Sequence, residues 1–329
     1  MIRAAIIGLG RWGQNMVSHA RGSQHIRFVA GATRTPEKAR AFAAEHGFPL
    51  HADIEQVLHD PGVDAVVITT PHRSHVDLIT RAARAGKHVF VEKPFTLNRA
   101  DAQTAIDACS AAGVTLALGF NWRFQPALLE VKKMFSDGTL GKLLHIEGNF
   151  NGPSVFRYAP DHWRPDRSES PGGGLTGRGV HNMDAMIFLT GPIDTVYAQS
   201  CRQVLDRGVD DTTSVLYRFR SGVTGYLGMV IASAECWRMQ FFGTGGMAEV
   251  GAIEHLPTWD LTVQLIDQPR QTRHYASERT ERLELEAFAR AIEAKQPYVM
   301  PVEDILAGVS GLEAILQSID TQQPVKVAQ

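Results

Sequence analysis

Three glycines near the start, Gly8, Gly10 and Gly13, are spaced GxGxxG between a short apolar run and a stretch that can continue as a helix. Small residues at that spacing let a backbone turn approach a pyrophosphate lying on the helix N-terminus. Arg11 and Trp12 sit inside the turn and are expected to border the same ligand. A carboxylate about 20 residues further on would bond the ribose 2′-hydroxyl of NAD, whereas an arginine there accommodates the 2′-phosphate of NADP. The chain has Thr33 and Arg34 at that place. The expected cofactor is therefore NADP, with NAD the alternative, and Arg34 as a solvated surface residue is the competing reading.

Two further segments carry polar chemistry at the ends of apolar runs. Thr69, Thr70 and Pro71 follow VDAVVI, with His72 and His75 just beyond. The histidines have no cysteine or carboxylate nearby to complete a ligand set, so no metal is expected and the loop, His75 included, reads as cofactor-bordering. Glu92, Lys93 and Pro94 follow HVFV. An ammonium at such a place can orient a hydroxyl beside a nicotinamide and stabilise negative charge developing on its oxygen. Further along, His181 taken alone reads as a helix-start residue bonding to backbone.

These residues need scaffolding. Strands are expected over 2–7, 26–33, 63–69, 88–91 and 114–119, alternating with helices over 12–21, 36–46, 76–85 and 98–112. Thr35 and Asn98 are placed as N-caps, and Gly47, Gly86 and Gly113 as helix stops. Strand–helix alternation with near-continuous β-branched strands gives a doubly wound parallel sheet, a Rossmann domain of residues 1–120. Runs at 143–151, 196–201, 212–219, 223–231 and 238–242 then follow mostly without helices. They imply an open, mainly antiparallel sheet in a second α/β domain of residues 121–329, with helices near 181–189, 281–294 and 303–319. The connection 152–174 exceeds ordinary loop lengths, a common mark of a functional loop.

The order GLGRWG, TTPHRSH, AGKHVFVEKP and GFNWRFQPAL resembles the Gfo/Idh/MocA family, that of glucose-fructose oxidoreductase and inositol dehydrogenase. The resemblance continues through GTLGKLLHIEGNF, GGGLTGRGVHNMDAMIFLTG and FFGTGGMAEV. It implies a dinucleotide in the first domain, a catalytic lysine at Lys93, and a sugar, polyol or cyclic diol substrate over the second domain's sheet. It also implies homodimers or homotetramers formed through that sheet. The family's second catalytic motif, DxGxHxxD, is matched by Gly179, His181 and Asp184, but Gly177 stands where the first aspartate belongs. The family position implies that His181 is the general base; either it works without that partner, or Asp184 or Asp161 replaces it, or the chain has left dehydrogenase chemistry. Two other readings follow: a dinucleotide-sensing regulator of the same fold, and a glycosidase that uses bound NAD transiently.

The long connection offers Arg157, His162, Trp163 and Arg164, a set able to grip a carboxylate or stack on a ring. Asp161, Asp166 and Glu169 in the same loop could instead neutralise it as a solvated surface. Arg123 and Asp184 complete the candidate substrate-binding residues.

Composition bounds the partners. With 329 residues and 44% hydrophobic side chains a sizeable two-domain core can form. A net charge of −2 without a basic stripe gives no reason to expect nucleic acid or a membrane surface. The opening MIRAAIIGLGRWG runs from strand to glycine turn, and no apolar run reaches the roughly 20 residues of a membrane span, so a cytoplasmic enzyme acting on a small molecule is expected. Cys109, Cys201 and Cys236 lie far apart and read as buried free thiols.

Overall fold

The computed structural model describes residues 1–158, 162–206, 208–252, 258–276 and 279–328. In chain order the first elements are β1 (Ile2–Ile7), α1 (Arg11–Ala20), β2 (Ile26–Ala32), α2 (Pro36–Glu45), β3 (Leu50–His51) and α3 (Glu55–Leu58). Then come β4 (Ala65–Ile68), α4 (His75–Arg84), β5 (His88–Glu92), α5 (Arg99–Ala111), β6 (Leu116–Gly119), α6 (Pro126–Ser136) and β7 (Leu143–Asn151). The remainder is α7 (Val180–Thr190), β8 (Ile193–Cys201), β9 (Thr212–Phe219), β10 (Thr224–Val230), β11 (Cys236–Gly243), β12 (Gly246–Ala252), β13 (Thr258–Leu265), β14 (Gln271–Ala276), α8 (Thr280–Ala294), α9 (Val302–Thr321) and β15 (Val325–Lys326).

The chain forms two compact units, one of Met1–Asn121 with Arg279–Leu306, the other of Trp122–Glu278 with Ala307–Gln329. The first holds a six-stranded parallel sheet in the order β3-β2-β1-β4-β5-β6. Every side chain of β4 is buried, as expected for a strand covered on both faces. Asn98 caps α5 by accepting from the Asp101 N–H, whereas Thr35 makes no side-chain cap on α2. Residues 279–306 had been placed with the second domain. They return to the first unit because α8 carries an apolar stripe, with Leu285, Phe288 and Ala289 buried, and the Phe288 ring meets Phe90 of β5 edge to face at 5.8 Å.

The second unit holds a nine-stranded sheet in the order β14-β13-β12-β11-β7-β10-β9-β8-β15. Its pairs are antiparallel except for β7 with β10, which run parallel. Gly148 of β7 comes close to Asn182 and Met186 of α7, whose residues Val180 to Ile187 are all buried. α7 is preceded by a π-helical turn, Leu175–Gly179, so its path is continuous with the end of the long connection. Of the thiols, Cys109 is buried and its pKa is pushed up to about 12 by desolvation, but Cys201 and Cys236 are exposed, because they end β8 and begin β11 at the sheet rim.

Candidate active site

In the first unit the glycine turn leaves β1 at its carboxyl end, where the strand order reverses between β2 and β4. Gly8 has φ +94°, open to glycine and strained for other residues. A side chain at Gly13 would run into the Gly8 carbonyl and the Thr69 hydroxyl, so the turn packs directly on the loop after β4. Gly10, by contrast, has nothing within 4 Å of where a Cβ would sit. It is the N-cap of α1, with no side-chain cap bond and no acidic residue in the first turn. The helix thus offers uncapped N–H groups beside open space, and its positive end suits a phosphate. These residues fit a dinucleotide.

Thr69 and Thr70 line the turn, but their hydroxyls are engaged within it. Thr69 Oγ1 donates to the Gly8 carbonyl at 2.6 Å, and Thr70 Oγ1 lies 2.7 Å from Ser74 Oγ. His75 is fully buried, with its ring nitrogens against backbone carbonyls. Its Nδ1 lies 3.0 Å from the Pro94 carbonyl and 3.1 Å from that of Phe95, and Nε2 lies 3.1 Å from the Thr70 carbonyl. It ties the loop after β4 to the cis Lys93–Pro94 turn. Glu92 is buried, its carboxyl group close against Gly119. Lys93 remains half-buried at the carboxyl end of β5. Thr33 is half-buried and Arg34 exposed just beyond β2.

In the second unit His181 is the second residue of α7, buried, and stacked on Trp122 with centroids 5.1 Å apart. Trp122 itself packs among Phe150, Trp237 and Trp259, an aromatic floor fixing the imidazole plane. Arg123 and Asp184 grip each other. Arg123 Nε donates to Asp184 Oδ2 at 2.9 Å and Nη2 to Oδ1 at 2.7 Å, both side chains almost wholly buried. The pair ties the turn after β6 to α7. Asp161 lies outside the described residues.

The long connection forms a ladder: Tyr158 stacks on His162 at 5.1 Å, His162 on Trp163 at 5.9 Å, and the Arg164 guanidinium lies 4.7 Å from the Trp163 ring centre. It brings Arg164 Nη1 to 3.5 Å from where a Cβ at Gly177 would be. Arg157 is exposed beside it. Trp122 and the glutamates of α8 are not identifiable from sequence spacing; Trp122 adjoins Arg123 in GFNWRF without any motif marking it.

A glycine-turn Rossmann sheet with a lysine at a neighbouring strand end, joined to an open-sheet unit, defines a dinucleotide-binding oxidoreductase class. A family model described as "Oxidoreductase family, NAD-binding Rossmann fold" matches residues 2–120, and the GFO/IDH/MocA C-terminal domain matches residues 128–249. The chain belongs to the Gfo/Idh/MocA oxidoreductases. It is 28% identical to scyllo-inositol 2-dehydrogenase (NAD(+)) of Bacillus subtilis, over 99% of this chain and 98% of that one. It is also 28% identical to D-xylose 1-dehydrogenase (NADP(+)) 2 of Haloferax volcanii, over 95% and 96% of the two chains. The solved aldose-aldose oxidoreductase of Caulobacter crescentus superposes with a TM-score of 0.90 at 26% identity, covering 99% of each chain.

Proposed function

We propose that the protein is an NAD(P)-dependent dehydrogenase or reductase acting on a CH–OH carbon of a sugar, polyol or cyclic diol, with NADP preferred. The observation carrying the reading is the uncapped, open N-terminus of α1 beside Gly10, with Lys93 at the end of β5. When bound, the nicotinamide supplies the hydride chemistry. Lys93 orients the substrate oxygen and stabilises charge developing on it. His181, its ring plane held by Trp122, exchanges the hydroxyl proton. Arg34 and Thr33 receive the 2′-phosphate, no acid at that strand end opposing it. The named relatives divide between NAD(+) and NADP(+), so Arg34 decides for this chain. Association through the second unit's sheet accompanies this reading, since Leu216 of β9 is 53% exposed there.

Fluorescence titration with NADPH and NADH in the same buffer tests it. NADPH should bind the tighter, and Arg34→Ala should remove most of that preference while sparing NADH. Equal affinities in the unaltered chain would reverse the cofactor assignment. A second reading, a dinucleotide-sensing regulator, is favoured by Gly177 and by the engagement of Asp184 with Arg123. It requires cofactor binding with no hydride transfer across a panel of sugars, polyols and diols.

A further inference from the structure

Three carboxyl groups of the first unit are buried near Lys93 and have no role in the chemistry above. Glu92 closes β5, and Glu281 and Glu284 share one stripe of α8. Packing explains their meeting. Phe90 and Glu92, two residues apart, project from the same face of the strand, while Glu284 and Phe288, four apart, share a helix face. The Phe90–Phe288 contact that seats α8 therefore also sets Glu284 opposite Glu92.

Their surroundings differ. Glu281 Oε1 accepts from the Asn121 amide at 3.2 Å, and its Oε2 lies 3.2 Å from His19 Nδ1 of α1. Glu92 Oε2 accepts from the Lys93 backbone N–H at 3.3 Å, and Oε1, which has no hydrogen-bond partner among the described residues, sits 2.8 Å from where a Cβ on Gly119 would be. Glu284 is wholly buried, and neither of its oxygens has a hydrogen-bond partner among the described residues. The charged or titratable groups around them are Lys93, after β5, and His19, from α1; His75, at the start of α4, faces the Pro94 and Phe95 carbonyls. One ammonium cannot offset three buried carboxylates, and a carboxyl group without donors in such a place keeps its proton.

We propose that Glu92 and Glu284, with Glu281 beside them, form one buried carboxyl cluster next to Lys93, in which neutral Glu284 leaves Glu92 as the member whose charge steadies the lysine ammonium. Glu92 is thus a positioning residue acting through Lys93, and Glu284 keeps a second negative charge away from it. Electrostatics agree: burial, with the like charges of Glu92 and Glu281, holds Glu284 well above the ordinary carboxylate range. Burial likewise raises Glu92 to about 7, moderated chiefly by the Lys93 ammonium. Glu92 and Glu284 titrate as a coupled pair.

The inference rests on the role given to Lys93, but its test needs neither cofactor nor substrate. Difference infrared spectroscopy of the full chain should show protonated carboxyl at neutral pH, and Glu284→Gln, a neutral replacement of the same shape, should remove one such group. Lysines labelled with carbon-13 methyl groups, read by NMR, give the second readout, the Lys93 signal being the one lost in Lys93→Arg. That signal should inflect near the pH at which Glu92 titrates, about 7, in the unaltered chain and in Glu284→Gln, but not in Glu92→Gln. No protonated carboxyl at neutral pH, an undiminished band in Glu284→Gln, or an inflection surviving in Glu92→Gln would each overturn the cluster. Failure to bind NADPH or NADH would instead strike the functional reading and leave these outcomes standing.

Discussion

Gly13 and Gly177 illustrate how differently two glycines of one motif set can behave. Around Gly13 the backbone of the turn and the Thr69 hydroxyl already fill the space a methyl group would need. Gly13→Ala should therefore cost about 1–3 kcal/mol by overpacking and weaken dinucleotide binding, seen together in denaturant melts and cofactor titration. At Gly177 the nearest atom to an added Cβ is Arg164 Nη1, at 3.5 Å, and the neighbouring backbone is helical. Gly177→Asp should fold with stability within about 1 kcal/mol of the parent, placing a carboxylate one helical turn before His181. If His181 is the general base, that change raises hydride-transfer turnover; an unaltered rate would count against the role. The same residues show what spacing reveals about a site. Gly8, Gly10, Gly13 and Lys93 were legible because each sits in a contiguous strand-end motif. Glu281 and Glu284 were not, because their partner Glu92 is almost 190 residues away and only the fold brings them together. The burial of His75 and Glu92 was not legible, because spacing places a residue at a strand end without fixing what its side chain packs against.

At the scale of elements, the Arg123–Asp184 pair deserves a measurement of its own. Both charges are almost wholly removed from water, so their attraction is offset by desolvation, yet removing one leaves the other stranded. Arg123→Met should lose about 3–5 kcal/mol in denaturant unfolding, and the double change Arg123→Met with Asp184→Leu should regain much of it. Strong coupling would identify the pair as the tie on α7, the helix carrying His181; additive losses would mean that each residue works through other neighbours. The legible elements were those with a periodic apolar face. β7 and β9 coincide with their expected ranges because polar and apolar residues alternate along them. β14 was missed since five of its six residues are exposed, leaving an edge strand without an apolar face. The parallel pairing of β7 with β10 was hidden too, because neighbours in a sheet need not be neighbours in sequence.

For the whole molecule, the buried acids set the dependence of stability on pH. The folded pKa of Glu92, about 7, exceeds its ordinary 4.5, so the native state binds more protons than the unfolded one between those values. Its contribution is complete below about 4.5 and is lost as pH rises through about 7, a loss on the order of 3 kcal/mol. Glu284 acts with the same sign. Asp64 acts oppositely: Arg3 lowers its pKa, so that contribution is present above 3.8 and disappears as pH falls through the lowered value. Melting temperature should thus be highest on the acid side of neutrality and fall towards mild alkali. Glu92→Gln should flatten the fall, and a melting temperature that climbs through neutrality in the parent chain would contradict the assignment.

The return of Arg279–Leu306 to the first unit also bears on how the protein is made. On the ribosome the six strands of the parallel sheet emerge within the first 119 residues, but the helix that covers Phe90 appears only some 160 residues later. At usual translation speeds of about 5–20 residues per second, that is on the order of ten seconds or more during which an apolar sheet face waits for its cover. A nascent chain of this design therefore exposes the Phe90 face of its sheet until α8 emerges.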